Sequence, residues 1–202
     1  MSTTNLDALR GVCQLLGGLT LDQAKTELLE ALKRDRLPAG LAGACSGDLA
    51  QALEAMQAAL DSEDVQSLAV EHATLMVANA AGGARRPLPV PPFEDCYAGT
   101  ERVAQGERSR AALKAYVAAG LGFENMKAYP SDHIGLELCF VAALLDAEAR
   151  RERDAAARSA FVQEHLAAFA PALGKSMGSA AKTAFWQGTA RALTALPAAL
   201  AS

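Results

Sequence analysis

YPSDHIGLELCFVAALL, residues 129–145, decides how this chain is read. Pro130 restricts the residue before it and punctuates the chain, so a helix is expected to start just beyond it. Ser131 or Asp132 is the expected cap, because a short polar side chain there can accept a backbone N–H of the first turn. From Ile134 to Leu145 nearly every position is apolar, and Glu137 is the lone charge. A helix without a polar face must be surrounded by protein, so this segment is expected to be the central helix of an all-α bundle. It falls short of the roughly 20 apolar residues that span a bilayer.

The flanking sequence agrees with a bundle. Apolar residues recur at three and four from Asn5 to Leu16 and from Leu21 to Leu32, predicting two helices broken at Gly17 and Gly18. LPAGLAGACSG (37–47) reads as a loop. Helices are then expected over Asp48–Leu60 and Ser62–Asn79, with Asp61 or Ser62 as the cap between them. Residues 81–99 are rich in proline and glycine and read as an irregular connection between helical halves at about 1–80 and 100–202. A helix from Glu107 to Ala119 should end at Gly120 in a left-handed cap. The charged run 148–158 marks a return to solvent, FVQEHLAAFAP (161–171) is amphipathic until Pro171 interrupts it, and a last helix over Ser179–Leu196 should bury Phe185, Trp186 and Leu193.

Composition narrows the function. The 202 residues are 51% hydrophobic but only 5% aromatic, enough for one large core built from alanine and leucine. A formal net charge of -4 without a basic stripe argues against nucleic acid as partner. Cys13, Cys45, Cys96 and Cys139 form no CxxC pair and read as reduced thiols of a cytoplasmic protein. The N-terminal residues lack the basic-then-apolar order of an export leader, and no run is long enough for membrane insertion. Arg85 and Arg86 lie mid-chain ahead of prolines and read as solvated loop.

Chemistry-bearing residues gather at 129–137. His133 and Glu137 are four apart and should share a helix face. A carboxylate inside an apolar helix is costly unless it is hydrogen-bonded, protonated or open to a cavity. The plainer reading leaves Asp132 as a helix cap, His133 as its exposed neighbour and Glu137 as a buried acid fixing the packing. A metal site made of Asp132, His133 and Glu137 would lack the distant ligand that stable sites recruit, so no metal or other cofactor is expected. Phosphate-binding glycine motifs and a nucleophile beside a histidine are missing, so the chain does not read as an enzyme.

Three blocks resemble the TorD/DmsD-type redox-enzyme maturation chaperones, relatives of the nitrate reductase assembly chaperones. SLAVEHATLMVA (67–78) with PVPPFEDCY (89–97) is similar to a helix followed by a PP-aromatic-E-S-x-aromatic loop. AYVAAGLGF (115–123) matches a Y-x-x-x-G segment, and YPSDHIGLEL carries the family's proline-x-Asp-His-apolar-Gly pattern followed by E-L-x-F. HLAAFAP (165–171) echoes a further segment. Ser131 stands where the family has an acid, Cys96 where it has serine, and Phe93 and Tyr97 where some members have tryptophan.

The resemblance implies an all-helical chaperone that binds the twin-arginine signal peptide and apo-form of a molybdoenzyme of the DMSO-reductase type, assists cofactor insertion and delays export. Peptide contact is then expected at Phe93, Glu94, Tyr97, Tyr129, Pro130, Asp132, His133 and Glu137, with the acid and imidazole groups facing a docking crevice. Such a leader offers two arginines and an apolar helix, so acids beside an apolar groove suit it. The alternative reading is a small-ligand protein holding a nucleotide or cofactor precursor near His133 and Glu137. Proline-containing hinges between the helical halves permit a closed monomer or a domain-exchanged homodimer.

Overall fold

The computed structural model describes residues 3–21, 24–77, 88–99, 106–121 and 129–201. Helix α8 (Ile134–Ala149) runs through the interior as the sequence requires, with Ile134, Leu138, Val141 and Leu145 fully buried. Ahead of it in the chain come α1 (Thr3–Leu21), which packs on it, α2 (Thr26–Arg34), α3 (Leu37–Ala42), α4 (Gly47–Ser62) and α5 (Val65–His72). After the proline loop come α6 (Asp95–Ala98) and α7 (Glu107–Ala118). Beyond α8 follow α9 (Ala156–Phe161), α10 (Ala167–Ala180) and α11 (Ala184–Leu200). Two π turns interrupt the pattern, Ala73–Val77 after α5 and Val162–Leu166 between α9 and α10. The fold is all-α. Among the described residues β pairing is limited to one isolated antiparallel bridge, Phe93 with His133.

The largest helix contact is α1 against α8, and α11 packs against both its neighbour α10 and the distant α4. One continuous core follows, holding Leu9 and Leu16 of α1, Leu53 and Met56 of α4, Leu138 of α8 and Trp186 and Leu193 of α11. Each such side chain contributes about 1.5–3 kcal/mol on leaving water. Trp186 is fully buried and still satisfied, its indole N–H donating to Leu68 O at 2.9 Å. The turn into α11 is held by two distant acids. Glu63 accepts from the N–H groups of Ala184 (2.7 Å) and Phe185 (3.1 Å), and Glu71 accepts from Lys182 and Thr183. Carboxylates at a helix N-terminus satisfy donors that have no partner inside the helix and oppose its dipole.

Several local expectations give way to tertiary packing. Helix α1 continues through Gly17 and Gly18, because Gly17 is where α8 crosses closest. A Cβ on Gly17 would stand 3.3 Å from Gly135 O, and one on Gly135 would stand 3.1 Å from Gly17 O. Both glycines serve approach, not chain breaking. Residues 37–42 are helical, with Pro38 in the first turn, where its missing N–H costs nothing. Asp64, not Asp61 or Ser62, caps α5 by accepting from Ser67 N at 2.8 Å. Four residues of the proline-rich connection, Asp95–Ala98, form a helical turn. Pro171 lies inside α10 without ending it. The π turn just before it, where Ala167 N bonds to Val162 O five residues back, widens the helix one turn ahead of the ring.

Other expectations hold. Helix α7 stops where Gly120 takes a φ of 66°. The segment 150–155 is largely exposed, and α11 buries Phe185, Trp186 and Leu193. None of the four cysteines is in a disulfide. Arg85 and Arg86, with residues 122–128 of GFENMKAYP, fall outside the described residues.

Candidate functional site

The proline loop is laid against the start of α8. Val90 N donates to Leu75 O (3.1 Å), Ile134 N to Pro92 O (2.9 Å) and Glu94 N to Asp132 O (2.9 Å). Those bonds satisfy backbone groups of a segment too rich in proline to satisfy itself. Pro91 and Pro92 are buried by the contact, while Phe93 stays half-buried.

Two aspartates carry the connection onward. Asp132 is fully buried and its Oδ2 accepts from Asp95 N at 3.0 Å, at the start of α6. Asp95 in turn accepts from the N–H groups of Gly106, Arg108 and Ser109, so its carboxylate caps the start of α7 from a position eleven residues before Gly106. Asp132 therefore caps α6, not α8 as the sequence suggests. The cap of α8 is His133, whose Nδ1 accepts from Gly135 N at 3.1 Å. That bond defines its tautomer, with the proton on Nε2. Burial lowers the His133 pKa to about 4 and keeps the ring neutral.

His133 lies against two aromatic rings, Phe93 edge-on with centroids 5.4 Å apart and Tyr129 at 5.0 Å. Tyr97 packs on Phe169. Phe93, Tyr97, Tyr129 and Pro130 are each half-buried at the loop–helix junction. Beneath it Tyr116, from the AYVAAGLGF block, donates its hydroxyl to Ser131 O at 2.7 Å and packs on Phe140.

The acids lie deeper. Glu94 is 4% exposed, Glu137 0% and His165 1%. Glu94 Oε2 meets His165 Nδ1 at 2.7 Å, and its other oxygen faces Arg108 at 3.7 Å. Among the described residues neither Glu137 oxygen has a hydrogen-bond donor, and its polar neighbour is the Glu94 carboxyl. Burial, and then the neighbouring acids Glu94 and Asp132, push the Glu137 carboxyl well above the usual carboxylate range, and burial raises Asp132 too.

All eight residues singled out from the sequence thus belong to one junction, but they do not share one face. The expectation that Asp132, His133 and Glu137 look into a docking crevice is corrected by their burial: they tie loop to helix from within. His133 and Glu137 also part company, the first going to Phe93 and Tyr129, the second to Glu94 and His165. Asp95, Tyr116 and Arg108 escaped the sequence reading. A cap set so far ahead of its helix leaves no local pattern, and His165 had only the HLAAFAP echo. Two open grooves lie elsewhere, one of about 230 Å³ between α1, α2 and α3 and one of about 400 Å³ between α5 and the turn into α11. Neither is lined by His133 or Glu137.

The nitrate reductase delta subunit family matches residues 43–174, which contain the whole junction. The chain belongs to that family. Its likeness to TorD-type chaperones, read from the three blocks, is borne out by the same match. The fold of this delta-subunit relative is also similar to the crystal structure of a proposed redox enzyme maturation protein from Archaeoglobus fulgidus. That match has a TM-score of 0.56 at 20% identity and covers 92% of this chain and 91% of that one. No curated protein matches the sequence significantly. Among the described residues of this family member, no helix is long and apolar enough to cross a membrane.

Proposed function

We propose that this delta-subunit-family protein is a non-catalytic, cytoplasmic chaperone that binds the twin-arginine signal peptide and apo-form of a DMSO-reductase-type molybdoenzyme. Binding would hold the leader while the cofactor is inserted, and mass action would protect the unfilled enzyme. The observation that carries the reading is the family match across the loop–helix junction. The junction's surface fits it: Phe93, Tyr97, Tyr129 and Pro130 offer apolar area of the kind an amphipathic leader buries. Glu94, Asp132, His133 and Glu137 hold that face in shape from beneath.

The test is calorimetric titration of a synthetic twin-arginine leader into the purified full chain. Saturable binding is expected, weakened tenfold or more, about 1.4 kcal/mol, by Phe93→Ala or Tyr129→Ala with helical circular dichroism unchanged. Failure to bind the leader and the full-length apo-enzyme alike removes the proposal. Light scattering of the chain alone and with the leader distinguishes a monomer from an exchanged dimer.

A further inference from the structure

The sequence argues against a metal because Asp132, His133 and Glu137 stand on one short turn with no distant ligand. The fold removes that objection by assembling a different set. Glu94 from the proline loop, Glu137 from α8 and His165 from the π turn 162–166 converge, each offering one ligand atom, and these atoms all lie within 4.8 Å of one another.

Each member is more than nine-tenths buried. Proximity of acids alone would not make a site, but Glu137 supplies a separate reason. It is fully buried, and among the described residues neither oxygen has a hydrogen-bond donor from outside the cluster, its polar neighbour being the Glu94 carboxyl. A buried carboxylate in that condition is among the costliest groups a core can hold. A proton would neutralise it and still leave an acceptor unsatisfied, whereas a cation held between Glu137, Glu94 and His165 would engage all three. His165 is delivered by a π turn, a local widening found frequently at functional sites. Arg108 faces the outer oxygen of Glu94 at 3.7 Å and serves as an orienting group behind a ligand.

We propose that Glu94, Glu137 and His165 bind one first-row divalent transition-metal ion, which staples the proline loop to α8 and to the turn before α10. Two carboxylates and an imidazole offset a double positive charge and form a donor set of the N/O type that Zn2+ and Mn2+ accept. Water or a fourth group completes the shell. The proposal is independent of which client the protein serves.

The test uses the full chain, stripped with chelator and dialysed, then titrated with Zn2+ and separately with Mn2+. One equivalent of at least one ion per chain is expected, with a rise in melting temperature. Glu137→Gln keeps the shape of the side chain and is expected to lower affinity about 100-fold or more, since loss of an outer-shell partner alone costs 10–100-fold. X-ray absorption of the loaded wild-type protein keeps the question open to decision if that variant fails to fold. A shell of nitrogen and oxygen supports the site, and sulfur in the shell assigns the ion to the cysteines and overturns it. Uptake of neither ion to one equivalent, or equal uptake by wild type and a folded Glu137→Gln, overturns it as well.

Discussion

Asp132 Oδ2 accepts the backbone N–H of Asp95 at 3.0 Å, joining the entry to the central helix with the far end of the proline loop across 37 positions of sequence. The bond completes a relay, because Asp95 then caps α7. Phe93 and Tyr129 owe their positions to what lies behind them.

Removing the first link of that relay is expected to loosen the loop. Asp132→Ala leaves the Asp95 N–H without its acceptor and should cost about 1–3 kcal/mol. Asp132→Asn keeps an oxygen at that position and should cost less. Urea unfolding gives the stabilities, and limited proteolysis should show faster cutting near the loop in Asp132→Ala. Equal stability of Asp132→Ala and wild type would show that the relay carries no weight.

Glu63 has no local reason to matter, yet it holds two N–H groups at the start of α11. Glu63→Ala should destabilise the protein by about 0.5–2 kcal/mol, the range for loss of a helix cap. Glu54→Ala, an exposed position on α4, is the matched control and should stay within about 0.5 kcal/mol of wild type. Chemical denaturation of the two variants side by side decides the matter.

Gly135→Ala probes the crossing of α1 and α8. Alanine would normally favour a helix by about 0.8–1.0 kcal/mol over glycine. Here the added methyl meets the Leu21 side chain and stands 3.1 Å from Gly17 O, so overpacking of about 1–3 kcal/mol should prevail. A raised melting temperature would show that the crossing has room to spare.

His72 gives a pH signature. Its Nδ1 accepts from Ala24 N at 3.2 Å, its ring lies against Trp186, and burial lowers its pKa from 6.5 to about 4. Below 6.5 the unfolded chain takes up a proton that the folded one refuses. The His72 contribution to stability therefore falls as pH drops from 6.5 to about 4, at up to about 1.4 kcal/mol per pH unit, and levels off below that. Glu137, with its raised pKa, acts in the opposite sense: its protonated folded form is favoured at low pH and loses stability as pH rises above 4.5. The clean measurement is thus a difference, stability against pH for wild type minus His72→Gln. That difference should shrink as pH falls through the window, and a flat one would refute a neutral, buried His72.

Much of this fold is legible in the chain. An apolar run from Ile134 to Leu145 can exist in water only as a surrounded helix, and the three-and-four spacing elsewhere supplies the helices that surround it. Pro130 and Gly120 mark boundaries because their backbone preferences act on the residue itself. Those signals are local, so sequence transmits them.

What only the tertiary structure decided is where two distant segments meet. Gly17 and Gly18 read as a break until α8 is found lying on Gly17. Asp132 reads as the cap of its own helix until the proline loop offers a nearer donor, after which His133 takes the cap. Glu137 stands out in the sequence as the lone charge of its helix, but its meeting with Glu94 and His165 in one buried cluster is decided only by packing. A residue's propensity concerns its own backbone and nearest turns, worth about 1 kcal/mol or less, whereas an orphaned buried donor or a steric clash costs more. Where the two disagree, packing wins.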